Sequence, residues 1–447
     1  MCDTITDADT RGKAGTGSVL SLDAIGRQEI FLLGKESLFR SNVQRHTNFS
    51  VYQTFTKVSN PGTIVNWPFG QTILVTLKPQ QMGDLLKNMY LRCRMPRLQD
   101  VTQFDTRYCD QIGRAILKNA IFRVDSQEIE TIYDDWNVIR DQLYLDDDEK
   151  IAMQSLINGG QAEGTLSNSS VRAGPIDLYI PLNFFFANND DTFFPICAIT
   201  QQQIVLSLTF NFVSFFSDTR TPELYPNSPF QCSLDSFDIV CEQVIVSPEE
   251  RLYLQSVDHR LLIETVKRQP VLNISAKTPK IKNFLVPNIP VKSFHWFYRM
   301  DRFEDTATVL KNYFKQRYNF SYVQSEDLAV QAGFPILSDA KFFMNGESQL
   351  GFLEDTAQNN PQTSYYYKYL QPTTAGYATP TRNVYTYTFS LEPLMTPISG
   401  ASDFSKMTAD KTFIDSSIMA SASANNYNMH MFYIGLVNLE FSNGFLK

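Results

Sequence analysis

The sequence predicts an all-β protein built from two consecutive β-sandwiches. Aromatic residues make up 13% of the 447 residues, and such side chains suit the half-buried surface of a pleated sheet. Short apolar runs with period-two alternation recur between segments rich in Gly, Pro, Asn and Asp. Because one sandwich or barrel can reach about 200–250 residues, the chain length corresponds to two such domains. The pattern favours sandwiches or jelly rolls over a parallel α/β sheet.

Six runs carry the strand pattern most clearly. They are Thr72–Leu77, Met89–Met95, Ala120–Val124, Asp238–Val246, Val384–Leu391 and Met431–Val437. A further region, 192–217, contains no charged residue and is long enough to cross a bilayer. However, Gln201–Gln203 interrupt this region, and apolar residues then alternate with polar ones from Ile204 to Phe212. The alternation predicts a strand with one buried face, not a membrane span.

Helices are predicted to be few and short. The clearest begins after Ser247, which suits an N-cap, with Pro248 at the first helical position and Glu250 completing a capping box. This helix lies near the middle of the chain, so we expect it to link the two sandwiches. Asp134–Leu143 and Ser325–Gly333 are predicted to form two more helices, the second of which ends at a glycine.

The predicted organisation has four parts. Residues 1–24 form a polar, flexible N-terminal arm, 25–246 the first sandwich, 247–270 a linker helix region and 271–447 the second sandwich. Long surface loops are predicted at 145–175 and 352–380, and the Thr- and Pro-rich segment 359–382 is predicted to be loop-like. The acidic run Asp146–Glu149 is interpreted as part of a solvated loop, since it lacks the ligand spacing of a calcium-binding EF-hand.

Charge and cysteine content exclude several classes of protein. The net charge of −8 argues against a nucleic-acid binder that works through a basic surface. The N-terminus lacks the basic and apolar regions of a secretory signal. Six cysteines without a C-x-x-C pair are too sparse for a disulfide framework, so reduced thiols are expected. Sequons, which matter only if the chain is glycosylated, begin at Asn48, Asn168, Asn273 and Asn319.

The sequence contains no recognisable catalytic or metal-binding pattern. Neither a G-x-S-x-G motif nor a phosphate-binding G-x-x-x-x-G-K-[ST] motif occurs. Four histidines lie far apart and lack the HxH or HExxH spacing of metal sites: His46, His259, His295 and His430. We therefore expect packing or surface roles for them, and we assign no catalytic, cofactor-binding or metal-binding residue.

Short motifs spread over almost the whole chain resemble, in the same order, those of one family of viral proteins. In the first half they are Ala24–Leu32, Arg45–Phe49, Gly83–Leu86, Met89–Leu91, Met95–Pro96, Ile112–Ala115, Tyr133–Trp136, Pro181–Phe186 and Phe194–Ile199. In the second half they are Pro248–Arg251, Pro290–Phe297 and Pro397–Ser405. Each fragment alone is weak, but their shared order is hard to produce by chance. The chain resembles the double jelly-roll major capsid proteins of nucleocytoplasmic large DNA viruses and related virophage and polinton-like viruses.

This resemblance implies two consecutive eight-stranded jelly rolls per chain and a homotrimer that forms one pseudo-hexameric capsomer of an icosahedral shell. It implies a structural virion protein, not an enzyme, that needs no cofactor and is assembled in the host cytoplasm or nucleus. Expected partners are neighbouring capsomers, minor capsid or penton proteins and, through the arm 1–24, an internal membrane, without direct contact to nucleic acid. Two alternatives stay open: a minor capsid component of the same fold, and a carbohydrate-binding or carbohydrate-active jelly-roll protein with aromatic residues that stack on sugars.

Overall fold

The computed structural model describes most of the chain after Asn48. The described residues are 48–62, 64–79, 82–96, 107–109, 111–160, 175–218, 232–278, 280–304, 318–322, 335–349, 362–419 and 422–446. The arm predicted at 1–24 and the helix predicted at Ser325–Gly333 lie outside them. From Phe49 onward the chain forms one compact unit.

The first half of the chain contains eleven strands among the described residues. They are β1 (Phe49–Ser59), β2 (Thr72–Leu77), β3 (Leu85–Met95), β4 (Arg107–Tyr108), β5 (Leu117–Val124), β6 (Gln127–Tyr133), β7 (Ile176–Pro181), β8 (Phe194–Pro195), β9 (Ile204–Phe210), β10 (Ser217–Asp218) and β11 (Ser236–Val246). One sheet has the order β1-β11-β3-β7, with β8 beside β3, and the other has the order β2-β9-β5-β6. All of these neighbours are antiparallel.

The second half repeats this plan with eleven described strands. They are β12 (His259–Arg268), β13 (Leu272–Ile274), β14 (Lys280–Phe284), β15 (Pro290–Met300), β16 (Leu337–Met344), β17 (Glu347–Ser348), β18 (Tyr385–Thr388), β19 (Ser402–Asp403), β20 (Phe413–Ile418), β21 (Tyr427–Ser442) and β22 (Phe445–Leu446). Its two sheets have the orders β12-β21-β15-β18 and β14-β20-β16-β17. The short strands β13 and β22 pair with β21, and β19 pairs with β15.

The strand order identifies each half as a jelly roll. Numbering the eight main strands of either half along the chain, the first, eighth, third and sixth form one sheet. The second, seventh, fourth and fifth form the other. This interleaved antiparallel order, in two sheets packed face to face, is that of a double Greek key jelly roll. The prediction of an all-β double jelly roll is therefore confirmed.

Helices are short and lie mostly in the connections. They are α1 (Ile112–Ile116), α2 (Asp134–Leu143), α3 (Asp147–Ile157), α4 (Val213–Phe216), α5 (Pro248–Ser256), α6 (Gln362–Tyr365) and α7 (Gln371–Thr374), with a π-helical turn at Tyr366–Leu370. Single 3₁₀ turns occur at Phe185–Ala187, Asp190–Thr192, Ile196–Ala198, Asp301–Phe303, Phe404–Lys406 and Ala409–Lys411. The helix predicted at Asp134–Leu143 has the predicted bounds, and α5 begins after Ser247 as predicted.

Two segments predicted to be loops are partly helical. The acidic run Asp146–Glu149 begins α3: Asp146 Oδ1 accepts the Glu149 N–H at 2.8 Å, and Glu149 Oε2 accepts the Asp146 N–H at 3.1 Å. This capping box, with acidic residues at the positive helix end, explains why the carboxylates favour a helix there. The segment 359–382, predicted to be loop-like, contains α6, the π turn and α7. It is held because Tyr367 is buried and Lys368 Nζ donates to Asn383 Oδ1 at 2.6 Å.

Two predicted strands are shorter than expected. The alternation from Ile204 to Phe212 forms β9, but β9 ends at Phe210, and Phe212 lies exposed beside Gly70. The run Val384–Leu391 forms strand only at Tyr385–Thr388. In the described part of the chain, no helix is both long and apolar enough to span a membrane.

Candidate functional site

The described residues of the two jelly rolls meet along a buried surface. The core of the first roll does not stop at its own strands. It continues into residues of β12 and β21 in the second roll, among them Ile263, Phe432 and Phe441. Phe432 packs against Tyr133 and Trp136 with ring centroids 6.0 and 5.9 Å apart. The two rolls are therefore joined by a continuous apolar seam.

The third main strand of each roll shows how this seam is made. In the second roll, β15 is buried on both faces from Val291 to Met300. Trp296 and Tyr298 belong to the roll's own core, whereas Phe297 belongs to the seam. In the first roll, β3 is buried on one face only, because Arg92 and Arg94 are exposed. The outer face of the second roll is thus covered by the first roll.

A cluster of charged residues lies within the seam. Arg299, on β15, donates from Nη1 and Nη2 to the Asp135 carboxylate of α2 at 2.6 and 3.2 Å. Its Nε donates to Glu304 Oε1 at 3.3 Å. Asp135 and Arg299 are both buried. Since breaking a buried pair leaves an uncompensated charge, this contact fixes the first roll to the second.

His430 extends the cluster. Arg268 Nη2 lies 2.8 Å from His430 Nδ1, and His430 Nε2 contacts Glu304 Oε1. Because a guanidinium can only donate, Nδ1 is the acceptor, and the ring is neutral with its proton on Nε2. Burial first, and then the neighbouring Arg299, lower the pKa of His430, in agreement with the neutral ring.

The carboxyl groups of the cluster have divergent pKa values. Burial and then the neighbouring Asp135 raise the pKa of Asp134 to about 7. Burial opposes ionisation of Glu304 and Asp135 as well. The His430 hydrogen bond and then Arg299 nevertheless lower the pKa of Glu304 to about 2. The positive charge of Arg299 lowers that of Asp135. The cluster therefore holds two firmly ionised carboxylates opposite its two arginines, with Asp134 as the surplus acid.

Glu130 makes a second polar contact across the seam. Its Oε2 accepts the Phe185 N–H at 2.7 Å, and its Oε1 accepts the Val266 N–H, from β12, at 3.1 Å. Burial raises the pKa of Glu130 to about 7 in spite of these two hydrogen bonds. One side chain thereby satisfies backbone donors from both rolls.

The connection between the rolls is anchored by a separate ion pair. Asp84, beside β3, accepts the Val246 N–H at 3.0 Å and pairs with Arg251 of α5, whose Nε lies 2.6 Å from Asp84 Oδ1. Ser247 Oγ accepts the Glu250 N–H at 3.4 Å. None of the α5 residues is buried, so Asp84 is the main tether that the structure provides for this helix.

The histidines singled out in the sequence have packing roles where the structure describes them. His259 stacks on Phe441, and buried His295 contacts the hydroxyls of Ser293 and Thr386 at 2.9 and 3.1 Å. Burial and then Lys292 lower the pKa of His295 to about 3. His46 lies outside the described residues. Within the described ranges, no group of three or more His, Cys, Asp or Glu could hold a metal ion.

The sequons differ in accessibility. Asn48 and Asn273 are exposed, and Asn168 lies outside the described residues. Asn319 is buried, and its Oδ1 accepts the Ser321 N–H at 3.0 Å. A glycan at Asn319 would not fit without local opening of the fold.

Sequence reasoning missed the charged cluster and strand β1. A usable signal existed for each. Arg299 lies between Tyr298 and Met300, and His430 lies between Met429 and Met431, and polar residues among such apolar neighbours are buried only with partners. The run from Phe49 to Ser59 places Phe49, Val51 and Phe55 at period-two spacing.

Two family models match consecutive parts of the chain. The model described as "Major capsid protein N-terminus" matches residues 37–227. The model described as "Large eukaryotic DNA virus major capsid protein" matches residues 250–431. The two matches fall on the first and second halves of the fold described above.

Individual relatives are also named major capsid proteins. The chain is 24% identical to a major capsid protein of Phaeocystis pouchetii virus, over 78% of this chain and 72% of the relative. It is 26% identical to that of Pyramimonas orientalis virus, over 63% of this chain and 64% of the relative. It is 22% identical to the major capsid protein of Paramecium bursaria Chlorella virus 1, over 91% of this chain and 90% of the relative.

Solved structures share the fold. The Faustovirus major capsid protein superposes with a TM-score of 0.71 at 12% identity, covering 95% of this chain and 97% of that one. The quasi-atomic model of the PBCV-1 virus capsid gives a TM-score of 0.69 at 16% identity, covering 92% of this chain and 99% of that one. This is a family of structural virion proteins, not of enzymes. The chain belongs to the major capsid proteins of large eukaryotic DNA viruses, as a component of the virion capsid.

Proposed function

We propose that this capsid protein is the repeating block of an icosahedral shell, and that three copies close into a ring of six jelly rolls that forms one pseudo-hexameric capsomer. The observation that carries the proposal is the difference between the two rolls. The outer face of the second roll is covered by the first roll of the same chain, whereas the equivalent face of the first roll is exposed in the part of the chain that the structure describes. In a ring of identical chains, the contact inside each chain covers one of these faces. The exposed face of each first roll is then available for the second roll of the next chain.

The exposed face of the first roll carries apolar side chains at positions where a solvent-facing strand usually has polar ones. On β1, Val58 packs towards the core, so Phe49, Val51 and Phe55 point outward, and Phe49 and Phe55 are 65% and 58% exposed. Tyr179 on β7 is also exposed on this sheet, under the Arg92 guanidinium at 5.6 Å. Such a face on an edge strand favours a protein interface. We call it the acceptor face.

A complementary surface exists on the second roll. In the first roll, two connections supply residues that cover the seam: Trp136 comes from the one after the fifth strand, and Phe194 from the one after the sixth. The same two connections of the second roll leave apolar residues exposed. These are Tyr365, Tyr369 and Leu370 after the fifth strand, and Leu391 and Met395 after the sixth. We call these five residues the donor face.

The fit of donor face to acceptor face is head to tail, because the two surfaces lie on different rolls. Such a heterologous interface forms a closed ring when its rotation closes, and the family resemblance implies closure at three chains. A permanent interface of this kind typically buries more than about 2,000 Å². Each chain contributes one donor face and one acceptor face, so every donor face meets an acceptor face in the ring.

Complementary variants test this arrangement. Phe55→Asp should disable the acceptor face and leave the donor face intact, whereas Leu370→Asp should do the reverse. Each variant alone should be monomeric by analytical ultracentrifugation. Mixed in equal amounts, they should form a dimer and nothing larger, because only one functional interface remains. The control is Leu252→Asp on α5, which is exposed and on neither face, and should stay trimeric.

The outcomes separate the two parts of the proposal. If wild type is a monomer, the trimer is wrong. If wild type is a trimer but both face variants are also trimers, the assigned faces are wrong. If the mixed variants do not form a dimer although each alone is a monomer, the contact is not head to tail.

The arm 1–24, the rolls at 25–246 and 271–447 and the linker 247–270 complete the proposed organisation. We infer that the arm faces inward and contacts a neighbouring capsomer, a minor or penton protein, or an internal membrane. Deletion of the arm should leave the trimer intact and impair shell assembly in the cytoplasm or nucleus of infected cells. Normal assembly of the deleted protein would remove that role.

A further inference from the structure

Strands β3 and β15 occupy the same position in their two rolls. Each is the third main strand, contains eleven residues and lies between the eighth and the sixth strand of its sheet. The last residue but one is an arginine in both strands, Arg94 in β3 and Arg299 in β15. Arg94 is therefore the counterpart, in the first roll, of the arginine that joins the two rolls.

The two arginines also face the same way. Cys93 and Met95 pack in the core of the first roll, and Tyr298 and Met300 pack in the core of the second. Since successive side chains of a strand point to opposite faces, the arginine between each of these pairs points to the outer face of its sheet. In the second roll that face is covered by the first roll, and in the first roll it is the acceptor face.

Arg299 shows which groups bind such an arginine when its face is covered. Its Nε lies 3.3 Å from Oε1 of Glu304 in its own roll, and its Nη1 lies 2.6 Å from Oδ1 of Asp135 in the other roll. A guanidinium has five N–H donors and can therefore bind two carboxylates at once. Asp135 belongs to α2, in the connection after the fifth strand of the roll that covers Arg299.

Among the described residues, Arg94 has the contact within its own roll but no contact of this kind to another roll. Its Nε lies 3.7 Å from Oδ1 of Asp177 on β7. The two side chains are 71% and 69% exposed. The side of Arg94 that corresponds to the Asp135 contact is therefore open to solvent.

The proposed ring would cover this arginine. The donor face includes the connection after the fifth strand of the second roll, which corresponds to the connection that carries Asp135 in the first roll. Placed on the acceptor face of the next chain, it removes solvent from Arg94, and a desolvated guanidinium is costly unless an anion binds it.

We propose that Arg94 is the charged anchor of the contact between chains, and that it binds a carboxylate carried by the second roll of the next chain. This contact rests on the ring proposed above, and it adds an ion pair to the two apolar faces. Because apolar burial is non-directional, an ion pair at a fixed position also sets the register of the two faces.

Dissociation of the trimer on dilution tests the contact. Truncating one partner of a buried charge pair weakens an interface at least about 30-fold, so Arg94→Gln should raise the concentration at which the trimer dissociates by that factor or more. Arg123→Gln is the matched control, because Arg123 lies 3.8 Å from Glu128 on the opposite sheet of the first roll. This control should dissociate like wild type.

Carbodiimide coupling identifies the chemistry of the partner. Arg94→Lys places a primary amine at the contact, and Asp177→Asn removes the carboxylate of the same roll. In this double variant, a water-soluble carbodiimide should join the amine to a carboxyl group as an amide, and the reagent takes up the water that is lost. With isotope-labelled and unlabelled chains mixed, mass spectrometry should find position 94 linked to an Asp or Glu in the second roll of another chain.

The outcomes separate this contact from the ring itself. If Arg94→Gln dissociates like wild type, or if position 94 is linked only within its own chain, the contact is overturned while the ring stands. A wild-type monomer would overturn the ring and the contact together. Because Arg94 is exposed in the single chain, the substitutions disturb no core, and each variant should fold.

Discussion

Replacing Asp135 by Asn tests whether the charged cluster fixes the two rolls together. The substitution keeps the shape of the side chain and removes its charge. It removes the negative charge that faces buried Arg299, and it loses one of two charge-assisted hydrogen bonds at 2.6 and 3.2 Å. Removing one partner of a buried pair costs about 3–5 kcal/mol, and Asn retains one acceptor. We therefore expect a loss of about 3 kcal/mol in the free energy of unfolding.

The assay is urea unfolding followed by tryptophan fluorescence, since Trp136 lies next to the substituted residue. Asp177→Asn is the control, because Asp177 pairs with Arg94 at 3.7 Å with both side chains about 70% exposed. An exposed pair contributes about 0–1 kcal/mol. The reasoning is refuted if Asp135→Asn and Asp177→Asn differ by less than about 1 kcal/mol.

Three further predictions follow from the same structure. Glu130 and Asp134 have pKa values of about 7, which lie above those of an unfolded chain. Their protonation therefore stabilises the fold at low pH, and this contribution is lost as the pH rises through about 7. The melting temperature should fall as the pH is raised to about 7, and it should fall less in Glu130→Gln; an equal fall in the two proteins contradicts this. Gly113→Ala places a Cβ 2.8 Å from Ile157 Cβ and should cost about 1–3 kcal/mol by urea unfolding, whereas Gly62→Ala, with nothing within 4 Å, should cost little. Arg251→Gln should speed amide hydrogen exchange in α5, and unchanged exchange would show that Asp84 is not its tether.

Much of the fold is predictable from local patterns. Strands such as β9 follow from alternation, and α2 and α5 follow from their capping and apolar spacing. The charge of the acidic run Asp146–Glu149 predicts a solvated loop, but the structure places this run at the start of a helix. At the start of a helix, the same carboxylates stabilise it.

The seam could not be predicted in the same way. Asp135, Arg299 and His430 come together only after two rolls have folded and packed, and their separation in sequence gives no periodic signal. A polar residue inside an apolar strand is the most that the sequence offers.

The mass of the purified protein in solution tests the central claim most directly. Light scattering during size-exclusion chromatography at micromolar concentration should give about three times the chain mass of 51.1 kDa. Images of that particle should show six densities of jelly-roll size in one ring. A stable monomer under these conditions would contradict the closed ring and the surfaces assigned to it.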